Sequence, residues 1–255
     1  MRRALGVELM KVRHSTVVVT TTVLIVVLVP LLCLGFVAVA RAGGAGAVAL
    51  KAQAMVVGEG WEAYLGLLAQ VVSIGMFIGP GVVVAWAFGR EFADRTFPSL
   101  FGLPVSRGSI AAAKFTVLAC WGLALTILTL GVAVLVGLVA QVGSLTGIDL
   151  AGRLWRLLVA GFLTSMISLT IGFVASIGRG YLPAFGALIL LTMITQIAVL
   201  FGTGGWFPYA APGLFAIAGT ADVAEVSAVQ LLLVPVTTVL VAWATVRWWN
   251  HAEVV

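Results

Sequence analysis

The residues best placed to do chemistry lie between Gly89 and Arg107, where Arg90, Glu91, Asp94, Arg95 and Arg107 crowd one stretch of a chain that is only 9% charged. Arg90 and Asp94, and likewise Glu91 and Arg95, stand four residues apart, a spacing that lets opposite charges pair along a helix. Pro98 disfavours helix at Phe97 and suits the first position of a new short helix, which Gly102 and Pro104 would end. Phe97, Leu100 and Phe101 would then share one face. A short helix with an apolar face among charges suits docking in a groove of another protein, and the same residues also suit a loop that only covers the ends of its own helices. Catalytic groups are poorly supplied. His14 and His251 lie at opposite ends of the chain, the acids fall outside the apolar blocks, and Thr164, Ser165, Ser168 and Thr170 are expected to bond helix carbonyls rather than to act as nucleophiles. Cys33 and Cys120 have no CxxC or CxxH neighbour, so neither a metal site nor a disulfide is expected. No GxxxxGK[ST] phosphate loop occurs, so this chain does not cradle ATP in that way. The apolar blocks hold no Asp, Glu or His of the kind an ion-coupled transporter places there.

The elements that must position this stretch follow from composition. Hydrophobic residues make up 62% of the chain, far too much for a soluble core, and they fall in blocks long enough to cross a ~30 Å hydrocarbon layer as helices of about 20 residues. Six blocks stand out: 16–40, 64–88, 115–140, 154–177, 182–201 and 228–248. Charge enters them only at their ends, at Arg156 and Arg247, as the cost of about 2.5–3.5 kcal/mol per mid-bilayer charge demands. The expectation is an all-α integral membrane protein: one transmembrane domain over 1–255, with an interfacial segment at 1–15, a loop at 89–107 and an outer loop at 202–227. With the amino terminus placed in the cytoplasm, ten of the fourteen Lys and Arg lie inside and Arg41, Lys51, Arg153 and Arg156 outside, a bias that fixes orientation with both termini cytoplasmic. The net charge of +5 is spread over block ends rather than gathered in a patch, which argues against a nucleic-acid partner. The long first block lacks a cleavage site and reads as a retained helix.

Pro30, the Gly79-Pro80-Gly81 run and Pro235 predict kinks, since each proline removes a backbone donor. Gly75 and Gly79 form a GxxxG spacing suited to close helix packing. In the outer segments, 48–57 reads as a short amphipathic helix, and Trp206-Phe207-Pro208-Tyr209 with Pro212-Gly213 reads as short interfacial helices or an aromatic belt. At the amino terminus Leu5, Leu9 and Val12 recur at helical spacing among Arg2, Arg3, Glu8, Lys11 and Arg13, the pattern of a surface-lying helix, with Glu8 and Lys11 able to pair.

The run Glu91, Arg95-Thr96, Leu100 and Leu103-Pro104-Val105-Ser106-Arg107, with Lys114 beyond, resembles the cytoplasmic loop of type-two ABC exporter permeases. The opening Glu8-Leu9-Met10-Lys11-Val12-Arg13 is similar to the start of that family, and the six-block layout extends the likeness along nearly the whole chain. Phe97-Pro98 departs from it, where a glycine or threonine before a leucine-rich helix is more usual. The resemblance implies a non-catalytic permease subunit of an ATP-driven exporter in a bacterial cytoplasmic membrane. Its 89–107 loop would then hold a coupling helix seated in an ABC ATPase subunit, present in two copies, that binds ATP and Mg itself. Glu91, Asp94 and Arg95 would meet or brace polar groups there, and Phe97, Leu100 and Phe101 would fill the apolar part. The resemblance further implies a dimer with an identical or related permease, and small members of this layout resemble drug-export and antibiotic-peptide immunity permeases. A scaffold or receptor-like subunit, and less readily a membrane-embedded enzyme, are the alternatives.

Overall fold

A computed structural model describes residues 2–97, 105–218 and 225–252. Nine helices are used below: α1 (Arg2–Arg13), α2 (Thr16–Ala42), α3 (Ala47–Met55), α4 (Gly60–Ala93), α5 (Arg107–Val139), α6 (Leu150–Ile177), α7 (Tyr181–Leu200), α8 (Ala211–Ile217) and α9 (Ala228–His251). No strand occurs among the described residues. The helices α2, α4, α5, α6, α7 and α9 are each long and apolar enough to span a bilayer, as the six apolar blocks predict. They alternate in direction, so one end of the bundle collects α1, the end of α4, the start of α5 and the end of α9. This is called the basic end. The other collects α3, α8 and the 140–149 connection.

Two helices outrun their apolar blocks. At 34 and 33 residues, α4 and α5 measure about 50 Å, some 20 Å more than hydrocarbon requires. Much of the surplus lies at the basic end, where 89–93 continue α4 and 107–114 open α5 as helix. The stretch read from sequence as a loop over 89–107 is therefore shorter, and Glu91 sits inside a helix rather than between helices. Ser106 caps α5, its hydroxyl accepting from the Ser109 amide at 3.3 Å, and Ser227 caps α9 in a reciprocal box with Gln230.

Proline and polar groups are reconciled with lipid in the way the bilayer dictates. Ahead of Pro30 the chain of α2 widens into a π-helical turn at Leu24–Leu28, the distortion expected where a ladder hydrogen bond is lost. Tyr64, fully buried, shares its hydroxyl between the carbonyls of Pro30 at 3.4 Å and Ala133 at 3.1 Å, tying α2, α4 and α5 together. The hydroxyls of Thr164, Ser165, Ser168 and Thr170 donate to the carbonyls of Ala160, Phe162, Ser165 and Ile167, the bonding expected of them from the sequence. Of the GxxxG pair, Gly79 faces the side chain of Ile25 so closely that a Cβ there would collide with it, whereas a Cβ on Gly75 would meet open space.

At the far end the 202–218 segment folds back among the spans. Tyr209 meets Phe77 edge-to-face at 5.7 Å and hydrogen-bonds Thr170 at 3.0 Å. Ala211, Pro212 and Ala216 of α8 are buried, so this segment is part of the packed body and more than a belt of rings. Arg153 and Arg156, anomalous in the charge count, are neutralised locally: Arg153 pairs with Glu62 at 2.7 Å, and Arg156 reaches Glu225 at 3.5 Å and the Ala218 carbonyl at 3.2 Å. Trp61, buried and held by its indole N–H on the Gly143 carbonyl at 3.1 Å, packs its six-membered ring against Gly137 of α5. Gly137→Ala would drive a methyl into that rigid ring and should cost about 1–3 kcal/mol, read as a lowered thermal midpoint in detergent. Gly131→Ala on the same helix, where a Cβ meets nothing, should leave the midpoint unchanged or raise it.

Candidate coupling site

At the basic end, four ionised side chains from three helices close on one point. Lys114 of α5 is 2% exposed, and Glu8 of α1 and Glu91 of α4 are each 4% exposed. An ammonium has three N–H donors and no acceptor. Those of Lys114 go to Glu8 at 3.0 Å, Glu91 at 2.9 Å and the Ala87 carbonyl at 3.0 Å. Lys11 completes the group, bonding the other oxygen of Glu8 at 2.8 Å and Glu91 at 3.1 Å. Two acids and two bases leave the cluster neutral, which is the condition for burying charge. Burial alone would lower the Lys11 pKa, but Glu8 and Glu91 outweigh it and hold it above its ordinary 10.5.

The second oxygen of Glu91 accepts from the Thr96 hydroxyl at 2.9 Å, and the same hydroxyl reaches the Glu91 carbonyl at 3.3 Å. Between them the chain turns sharply: Asp94 caps α4 and Arg95 adopts φ 55°, a left-handed conformation that costs a non-glycine residue roughly 1–2 kcal/mol. The carboxylate that holds Lys114 thus also ties down the exit of α4.

A ring cluster braces the same exit from the other side. Phe97, 6% exposed, stacks on Phe92 at 4.6 Å and meets Trp249 edge-on at 5.4 Å. Trp249 bonds Ser176 at 2.9 Å through its indole N–H, and Arg107 donates to the carbonyls of Asn250 and Ala252 at 2.9 Å and 2.5 Å. The end of α9 is in this way clamped to the start of α5.

These placements sort the residues read from sequence. Glu91 turns away from Arg95 and into the protein, and Arg90 lies over the Trp86 ring at 4.9 Å. No ion pair joins Arg90 to Asp94 among the described residues. Phe97 is packed in this chain's own core rather than presented outward, because Phe92, Trp248 and Trp249 supply an apolar seat. Asp94 and Arg95 are exposed. Leu100 and Phe101, with the predicted short helix, fall in 98–104, outside the described residues. The Glu8–Lys11 pair forms as its spacing predicts, but α1 turns Ala4, Glu8 and Val12 inward and leaves Val7, Leu9 and Met10 exposed. Leu9 is therefore off the packed face, because the face is set by Glu8 reaching Lys114. Trp248, Trp249 and Asn250 gave no local signal beyond lying at the end of the last block.

Lys114→Met would strand two carboxylates on Lys11 alone and should cost about 3–5 kcal/mol, measured as a drop in thermal midpoint. Lys114→Met combined with Glu91→Gln removes one charge of each sign and should recover part of the loss. The stability that Lys11 contributes is fully present below pH 10.5 and lost as pH rises through its raised folded value. A pH series of wild type and Lys11→Met should therefore keep a constant difference from pH 6 to 9.

Comparison with known proteins agrees with this architecture. Residues 4–198 match the family described as ABC-2 family transporter protein. A bacitracin transport permease protein, BCRB, of Bacillus licheniformis is 27% identical over 176 residues, which are 68% of this chain and 83% of that protein. With six spanning helices, a braced α4–α5 junction and a family match over most of its length, the chain belongs to the ABC-2 transporter family and is a multi-pass ABC permease subunit of the bacterial cytoplasmic membrane.

Proposed function

We propose that this permease works as an ATP-driven exporter, with the basic end in the cytoplasm and the energy supplied by a separate ABC ATPase docked on the α4–α5 junction. The observation that carries this reading is the neutral buried cluster of Glu8, Lys11, Glu91 and Lys114. A force applied to the junction acts on α1, α4 and α5 together, because moving one without the others would leave charge unpaired out of water. Exposed Asp94 and Arg95 are the groups offered to the ATPase, which alone binds ATP and Mg. Glu91 braces the junction from within. The excess of Lys and Arg at this end supports its cytoplasmic placement.

Two copies of the permease, or one with a related partner, would enclose the path and meet two ATPase subunits. The apolar spans and the likeness to a bacitracin transport permease favour a hydrophobic drug, a peptide antibiotic or a lipid-like molecule as cargo. Purification of the tagged chain from native membranes tests the pairing. An ATP-hydrolysing subunit should accompany it, and Arg95→Glu should weaken that association or its stimulation of ATP hydrolysis while the thermal midpoint stays put. Cargo movement by the reconstituted chain alone, with no ATPase present, would overturn the proposal.

A further inference from the structure

Beside the junction lies a groove of about 720 Å³, open along the flank of α1, α2 and α5. That volume lies within the range of about 300–1,000 Å³ typical of small-molecule sites. Its walls are apolar: Leu9 and Val12 from α1, Val19 and Val23 from α2, Val117 and Trp121 from α5. The polar groups among them are already satisfied. Thr22 donates to the Val18 carbonyl at 2.7 Å and accepts from the Trp121 indole at 3.2 Å, and Thr116 donates to the Ala112 carbonyl at 2.9 Å. Such walls suit a hydrocarbon chain and offer water little. From Thr116 to Ala124 the groove follows α5 for about 12 Å, the scale of an acyl chain and not of a compact solute.

The exception is at the mouth. Arg13 lines the groove and makes no hydrogen bond or ion pair with the described residues, and the neighbouring cluster is neutral, so its charge is uncompensated. It stands three residues before Thr16, where the first span begins, hence at the level where lipid headgroups lie. A phosphate would answer the guanidinium with charge-assisted hydrogen bonds.

We propose that this groove is a binding site for an anionic phospholipid, with an acyl chain along Val19, Val23 and Trp121 and the phosphate on Arg13. The lipid would pack against α1 and α5, two of the three helices that the ion cluster joins.

Cys120 provides the reporter, since it lines the groove and is exposed while Cys33 is buried. The full chain is placed in nanodiscs of phosphatidylglycerol or phosphatidylcholine, and its reaction with an uncharged maleimide is followed by mass spectrometry. Modification should be about tenfold slower in phosphatidylglycerol, a factor equal to 1.4 kcal/mol of differential occupancy. Arg13→Gln should abolish the difference and Arg13→Lys keep most of it. Inorganic phosphate added to phosphatidylcholine discs should change nothing. Equal rates in the two lipids, protection by free phosphate, or a Cys120–Cys120 disulfide between copies on mild oxidation would each overturn the assignment. The last would seat a second copy of the chain in the groove.

Discussion

A buried ammonium tolerates no unmet donor, and the three bonds of Lys114 organise one whole end of this protein. Each bond reaches a different place: Glu8 on the amino-terminal helix, Glu91 near the end of α4, and a main-chain carbonyl one turn earlier. Because the low-dielectric setting magnifies both the attraction and the penalty for separation, the three helices keep a common register. Such a cluster is a poor source of net stability compared with apolar packing. What it supplies is a single permitted arrangement, reinforced by Lys11, whose ammonium joins the same two carboxylates.

The bilayer sets the complementary rule for the rest of the chain, since every polar group within it must be answered internally. That is why the π-helical turn stands just before Pro30, why Tyr64 divides its hydroxyl between two carbonyls, and why the serines and threonines of α6 bond backwards along their own helix. The far end obeys the same rule with charge. Glu62 and Glu225 answer Arg153 and Arg156, so these two bases need not lie on the side that the other basic residues favour.

Between these constraints lies a division of labour suited to a permease. The exit of α4 is held from one side by Glu91 and Thr96 and from the other by Phe97 and the tryptophans of α9. Residues that look alike in the sequence, all charged or aromatic and close together, therefore separate into internal braces and exposed contacts. Asp94 and Arg95 remain exposed at the turn that ends α4, where Arg95 takes φ 55°. The stiffness of this exit comes from elements far apart in sequence.

The sequence by itself determined the number of spanning helices, the charge asymmetry and the pairing of Glu8 with Lys11. All of these depend on local composition or on contacts within one or two turns, where spacing alone fixes geometry. It also singled out 89–107, through charge density and family likeness, as the expected coupling stretch. It left open which of those residues face inward, because that depends on Glu8 lying 83 positions before Glu91 and on Trp249 lying far beyond Phe97. Helices longer than their apolar blocks were equally invisible, since hydropathy reports where lipid ends and not where the hydrogen-bond ladder does. Only the tertiary structure decided that Leu9 points out and Glu8 points in, and the reason is physical: a carboxylate that can reach a buried ammonium outweighs the ordinary preference of an apolar residue for the interior.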